Sequence, residues 1–324
     1  MESDAGMTLM DQVLALELDD IEAVATRIAG DVVRTPLLPW QGEGSADRDL
    51  RLKPENLQPF GSFKVRAGLN AALTARENGG TLVTASAGNF AQGLAFAARR
   101  YGLPLHVHVP DSAAATKVAA LDRLGATVQA HPFAEWWRIM ETRDGGIAGS
   151  TFVHPVCEAA VVAGNATIGL EIGQDWADVE TIVIPFGGGG LSTGVAMALR
   201  LMGRNVEIVA CEVETSTPLT AAFAAGEPVT TERTPSFVDG IGSLRVLDEM
   251  WPLVTRFIDR TVTVSVEDCA AAVRETALRH RLIIEGAGAA AIAAAKRPEF
   301  AGRKVCAVVS GGNIDLGVLS GMIG

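Results

Sequence analysis

Lys64 follows a Pro-Phe-Gly-Ser stretch in the run Leu57-Gln-Pro-Phe-Gly-Ser-Phe-Lys-Val-Arg-Ala-Gly68 and stands at the mouth of a predicted helix. An ammonium beside an aromatic on an apolar stretch is costly to bury unless its pKa falls or it forms a covalent imine. Lys64 is therefore a candidate Schiff-base lysine. The plainer alternative is a surface lysine whose methylene stem covers Phe63, and this segment alone leaves both open.

A second segment, Ile182-Val-Ile-Pro-Phe-Gly-Gly-Gly-Gly-Leu-Ser-Thr-Gly194, runs from an apolar strand through Gly187, Gly188, Gly189 and Gly190 into a helix beginning near Leu191. Consecutive glycines let backbone N–H groups converge on an anion without Cβ obstruction, and the helix adds its positive end. The segment reads as a phosphate cup. Nucleotide motifs fit it poorly: Val195 stands where a P-loop needs lysine, and Ser192 or Thr193 breaks the dinucleotide glycine pattern. The alternative is a strand-to-helix turn that needs glycine only for close packing.

A third segment, Thr84-Ala-Ser-Ala-Gly-Asn-Phe-Ala-Gln-Gly93, again ends a strand and opens a helix. Ser86 and Asn89 would set a hydroxyl and an amide beside free helix N–H groups, a cluster suited to a carboxylate. Capping by Ser86 would need only one polar residue, whereas here Ala87 and Gly88 keep the intervening positions small. The strand Val305-Cys-Ala-Val-Val-Ser310 ends on one hydroxyl before Gly311, Gly312 and Asn313, which is equally a turn or a site.

These segments need a scaffold that brings strand ends together. Strands are predicted at 81–85, 105–109, 127–130, 181–185, 206–212, 261–264 and 304–310, and helices at 90–101, 114–124, 191–202 and 266–281. Such alternation gives an α/β fold with mostly parallel open sheets, whose ligands bind at the strand C-terminal ends. No repeat, linker or composition break divides the chain, so two lobes are expected to interleave. Residues 54–155 are assigned to a small mobile lobe, and 1–53 with 156–324 to a large one.

The 324 residues, 48% hydrophobic and 20% charged, suffice for two cores. A net charge of −11 with no Lys/Arg run argues against nucleic acid as partner. No secretory leader and no membrane span is read, the longest alanine-rich apolar stretch being Glu285 to Ala295. Cys157, Cys211, Cys269 and Cys306 are widely spaced, which suits buried thiols in a reducing cytoplasm rather than disulfides or zinc.

Taken together, Gly61-Ser-Phe-Lys-Val-Arg66, Ser86-Ala-Gly-Asn89, Gly187-Gly-Gly-Gly-Leu191 and Ser310-Gly-Gly-Asn313 resemble the threonine/serine dehydratase and serine racemase family. These are pyridoxal 5′-phosphate enzymes of fold type II, the tryptophan synthase β-like group. The resemblance extends through Leu18-Asp-Asp-Ile, Arg34-Thr-Pro-Leu-Leu, Glu55-Asn-Leu-Gln, Val238-Asp-Gly240 and Glu285-Gly-Ala-Gly288, nearly the whole chain.

The resemblance implies that Lys64 carries the cofactor as a Schiff base, with Phe63 on one face of its ring and Gly240 near the other. Asn89 would hydrogen-bond the ring hydroxyl, Gly187 to Gly190 and the N–H of Leu191 would hold the phosphate, and Ser310 would face the ring nitrogen. Ser86, Ala87, Gly88 and Asn89 would receive the substrate carboxylate. A serine at the ring nitrogen stabilises a pyridinium less than an aspartate would, which favours prompt loss of a β-substituent over transamination. The implied reaction is α,β-elimination of ammonia from a β-hydroxy amino acid, L-threonine or L-serine first, giving a 2-keto acid.

Racemases of the family carry a second serine where this chain has Ala87, so a dehydratase is expected rather than a serine racemase. Phe90 replaces the usual histidine, and His154-Pro-Val-Cys-Glu158 the usual His-Pro-Phe-Asp. With Trp136 and Trp137 these departures leave room for a bulkier or acidic substrate such as 3-phenylserine or 3-hydroxyaspartate, although the tryptophans also suit ordinary helix packing. Glu212 matches an acidic ligand of a divalent cation in some relatives, but Pro218 occupies the place of a second carboxylate. Glu285 is expected near the cofactor or as a helix cap, and no regulatory domain is expected after Asn313. A homodimer is usual in the family. The rival from another class is a non-enzymatic module that binds a small phosphorylated ligand.

Overall fold

The apolar runs Thr181–Pro185 and Lys304–Val309 are buried almost throughout, as strands become when helices cover both faces of a parallel sheet. The computed structural model describes residues 7–323 apart from 44–45 and 78–79. Its strands are β1 (Leu38–Pro39), β2 (Asp49–Pro54), β3 (Leu82–Ala85), β4 (Leu105–Pro110), β5 (Thr127–His131), β6 (Thr151–Phe152), β7 (Thr181–Pro185), β8 (Glu207–Val213), β9 (Arg260–Val264) and β10 (Lys304–Val309).

A six-stranded sheet has the order β1-β2-β10-β7-β8-β9, and a four-stranded sheet the order β5-β4-β3-β6. Only the short β1–β2 pair is antiparallel. The four-stranded sheet is drawn entirely from residues 82–152 and the six-stranded sheet from either side of that span. One main apolar cluster nevertheless reaches both sheets, joining Leu82 and Val107 to Ile182 and Ile184. Helices Lys64–Glu77 and Ala159–Asp175 contribute to it between them.

Helices bearing the chemistry-capable segments approach to backbone contact. A Cβ on Gly68 would lie 2.6 Å from the carbonyl carbon of Gly93, one on Gly164 2.7 Å from the Arg66 oxygen, and one on Gly169 2.4 Å from the Val195 oxygen. Small residues thus lock the Lys64 helix to helix Asn89–Tyr101 and to helix Ala159–Asp175, which in turn packs on helix Gly190–Leu201.

Behind the Lys64 helix lies a buried ionic network. Arg66 pairs with Glu55 at 2.8 Å and Glu171 at 2.7 Å, and Lys53 pairs with Glu171 at 2.5 Å while donating to the Thr35 carbonyl. All four charged side chains are buried. Such pairing offsets a desolvation cost that neither sign could bear alone, and it fastens the end of β2 to the first turn of the Lys64 helix.

Every strand read from sequence is present within one or two residues. The strands β1, β2 and β6 were not legible, nor were several helices, including Ala159–Asp175 and Gly286–Ala295. In β2, Arg51 and Lys53 interrupt the apolar pattern, and Lys53 is accommodated inside only because Glu171 meets it. Helix Ala159–Asp175 is buried on nearly every side, so no polar face sets its period.

Candidate active site

Lys64 begins its helix one turn after the Pro59–Gly61 turn, and the preceding residues are tied to the end of β10. The Phe63 N–H donates to the Ser310 carbonyl at 3.0 Å, and the Gly312 N–H donates to the Gly61 carbonyl at 2.8 Å. Lys64 Nζ donates to the Pro155 carbonyl at 3.1 Å and lies 5.1 Å and 5.5 Å from the ring centres of Phe63 and Phe90. Burial pulls its pKa down from 10.5 to about 8. About a tenth of the amine is therefore uncharged at pH 7, against well under a thousandth for an ordinary lysine, and imine chemistry needs that uncharged form.

The glycine turn after β7 faces the same cavity, whose volume is about 250 Å³. Gly189 is the N-cap of helix Gly190–Leu201, with φ +91° and no side-chain cap. A Cβ there would meet Val254 at 2.7 Å, so both the backbone angle and the space demand glycine. The first N–H groups of the helix are left for an anion. Gly240 backs the turn: its carbonyl lies 3.4 Å from the place a Gly187 Cβ would take.

Helix Asn89–Tyr101 is likewise uncapped. Its N-cap is Gly88, and the Ser86 hydroxyl instead accepts from the Gly88 N–H at 3.4 Å. A second helix N-terminus therefore addresses the cavity with free donors. The Asn89 amide donates to both oxygens of Glu285, at 3.1 Å and 3.2 Å, and its carbonyl accepts from the Asn313 amide at 2.8 Å. Glu285 also accepts from the Asn313 N–H. Burial raises the Glu285 pKa from 4.5 to about 7, the Asn89 hydrogen bond opposing the shift.

Phe63, Lys64, Ser86, Gly88, Asn89, Gly187, Gly188, Gly189, Gly190, Leu191, Gly240 and Ser310 all line this one cavity. Ala87 does not; its side chain packs on the main apolar cluster. Glu212 lies elsewhere, its carboxylate accepting from the N–H groups of Leu219 and Thr220 and from the Thr220 hydroxyl at the start of helix Pro218–Ala225. Among the described residues no three His, Cys, Asp or Glu side chains gather as a metal site. Trp136 and Trp137 pack with Ile139 and Met140 away from the cavity. All four cysteines are free and buried, and no helix is long and apolar enough to cross a membrane.

Several cavity residues escaped the sequence reading. Lys117 and Asp239, paired at 3.1 Å, line the cavity, and Pro155, whose carbonyl accepts from Lys64, and Val156 stand in the sequence only as part of His154-Pro-Val-Cys-Glu158. Asn313 stands in the sequence only within Ser310-Gly-Gly-Asn313. Glu285 fits two roles in the sequence; its side chain makes no cap at helix Gly286–Ala295 and turns into the cavity instead.

The family model for pyridoxal-phosphate-dependent enzymes matches residues 28–311. The chain is 36% identical over 319 residues to an L-threonine ammonia-lyase of Thermotoga maritima, covering 95% of this chain and 78% of the relative. It is 33% identical over 325 residues to a catabolic L-threonine dehydratase of Escherichia coli, covering 96% and 97%. The solved structure of maize serine racemase superposes with a TM-score of 0.86 at 28% identity, covering 95% and 96%. Sequence and fold are those of a pyridoxal-phosphate-dependent enzyme. Within that class the chain belongs to the threonine/serine dehydratase family of fold type II. The donor set suits the cofactor: an uncapped glycine turn for a phosphate, and a desolvated amine for an aldehyde.

Proposed function

We propose that the protein eliminates ammonia from L-threonine or L-serine, giving a 2-keto acid. The observation that carries this reading is the Lys64 amine, desolvated and without a carboxylate partner among the described residues, in one cavity with two uncapped helix N-termini. The names of the relatives, an L-threonine ammonia-lyase and an L-threonine dehydratase, support the same reaction.

In this reading Gly187 to Gly190 and the N–H of Leu191 would hold the cofactor phosphate, with Phe63, Gly240 and Ser310 of the same cavity available to its ring. Bound pyridoxal phosphate supplies an electron-withdrawing ring conjugated to the substrate nitrogen. Ser86 and the N-terminus of helix Asn89–Tyr101 hold the substrate carboxylate. Lys64 would remove the Cα proton of the substrate as general base. Lys64, carrying the proton taken from Cα, would return it to the departing β-hydroxyl, which leaves as water, and the released enamine acid becomes an imine that water hydrolyses to keto acid and ammonia. The side chain at position 87 carries no hydroxyl and packs on the main apolar cluster, so it returns no proton to the opposite face of the substrate. Residues 54–155 act as a small lobe against the rest, a division supported by the four-stranded sheet lying within them.

The test is a keto-acid assay on the holoenzyme with L-threonine, L-serine, 3-phenylserine and 3-hydroxyaspartate, alongside chiral analysis of serine. Keto acid from L-threonine or L-serine, with little D-serine, is expected. Lys64→Ala should abolish the visible absorbance of the lysine-bound cofactor and lower turnover by about 10³-fold. An absent chromophore in the wild type, or a Lys64→Ala variant that keeps its rate, would refute the reading.

A further inference from the structure

His154 is buried, and its Nδ1 accepts two backbone N–H groups, from Val156 at 3.1 Å and Cys157 at 2.8 Å. A nitrogen receiving two donors carries no proton of its own, so the ring is the Nε2–H tautomer. Burial, with the positive charges of Arg143 and Lys64, pushes its pKa down to about 3. The imidazole is thus a permanently neutral acceptor around which residues 155–157 are wrapped.

Those residues touch both halves of the site. The Pro155 carbonyl accepts from Lys64 Nζ at 3.1 Å. The Val156 side chain lies 2.7 Å from where a Gly188 Cβ would project, directly against the glycine turn. The far side is braced by charge: Arg143 donates to the Cys157 carbonyl at 3.0 Å and pairs with Glu158 and Glu249. Upstream, the Val153 N–H and carbonyl are bonded to β3 through the Val83 carbonyl and the Thr84 hydroxyl.

We propose that His154 is a positioning residue for Lys64: by gathering the Val156 and Cys157 N–H groups it sets the Pro155 carbonyl that aims the amine at the glycine turn. This rests on the assignment of Lys64 as the Schiff-base residue. Neither histidine chemistry nor proton transfer is involved; the ring acts through the carbonyl it places.

The experiment compares wild type, His154→Leu and His154→Asn as full-length apoproteins. Two quantities are read: the high-pH plateau rate of imine formation with pyridoxal phosphate, and the affinity for pyridoxamine phosphate, which has the phosphate but no aldehyde. For His154→Leu the plateau rate should fall by about tenfold or more while pyridoxamine phosphate affinity changes less than about threefold. His154→Asn, whose carbonyl oxygen can accept the same N–H groups, should recover most of the rate. Unchanged imine formation in His154→Leu, or equal loss of both quantities, overturns the proposal, as general damage would not separate them. If the wild type forms no imine on Lys64, the assignment beneath the proposal fails as well. Should His154→Leu not fold, ¹⁵N NMR of the wild type decides: an Nε2–H ring is expected at neutral pH, and an Nδ1–H ring overturns the proposal.

Discussion

The N–H of Phe63 donates to the carbonyl of Ser310 at 3.0 Å. Two residues from opposite ends of the chain are thereby one structural unit. The turn that presents Lys64 also pairs through Ser62 with Gly311 and through Gly61 with Gly312. The amine is placed by the end of a central strand rather than by a free loop, and such preorganisation is what a positioned base or nucleophile needs.

Gly189→Ala should weaken cofactor binding and stability together. The substitution meets a φ of +91° and Val254 at 2.7 Å, a strain of about 1–3 kcal/mol. Gly226→Ala is the control, since Gly226 also has positive φ, at +76°, but no atom lies within 4 Å of its Cβ position. Thermal melting should fall in both variants, and affinity for pyridoxal phosphate, followed by absorbance titration, only in Gly189→Ala.

Glu285 should make stability fall as pH rises. Its folded pKa of about 7 lies above the usual 4.5, so between these values the folded chain holds a proton that the unfolded chain has lost. The penalty is absent below the unfolded pKa and complete above the folded one. Glu285→Gln removes this term, and its stability relative to wild type should increase by up to about 3 kcal/mol from pH 4.5 to pH 7. Urea denaturation of the apoprotein at the two pH values measures the difference; a pH-independent difference would count against the shift.

Arg66→Met should be severely destabilising without touching the cavity. It leaves Glu55 buried without its guanidinium and Glu171 with Lys53 alone. Breaking a buried ion pair from one side costs about 3–5 kcal/mol. Chemical denaturation should register a loss of that size, whereas a loss under about 1 kcal/mol would mean that water already reaches the network.

Much of the site was legible because its residue types are individually costly. Four glycines before a helix, and a lysine beside Phe63, are poor choices for ordinary packing; each alone left a packing alternative open, and together with Ser86 to Asn89 and Ser310 they pointed to a ligand. Glu285 was ambiguous because a carboxylate before a helix is also a common cap; the backbone had to show that its side chain turns toward Asn89. Ala87 belongs to the carboxylate segment by the family resemblance, and because its side chain packs on the main apolar cluster, any contact with a carboxylate is left to its backbone.

The sequence by itself determined the alternation of strands and helices, the three glycine-bearing strand ends and the identity of the candidate lysine. These rest on local periodicity and on residues whose backbone or charge requirements show in one dimension. Tertiary structure decided the rest. The buried Lys53–Glu171–Arg66–Glu55 network, the Pro155 carbonyl on Lys64 and the His154 ring that gathers residues 156 and 157 join segments far apart in the chain or turn on backbone direction. Neither leaves a periodic signature, because burial makes a charge tolerable only once its partner has been folded against it.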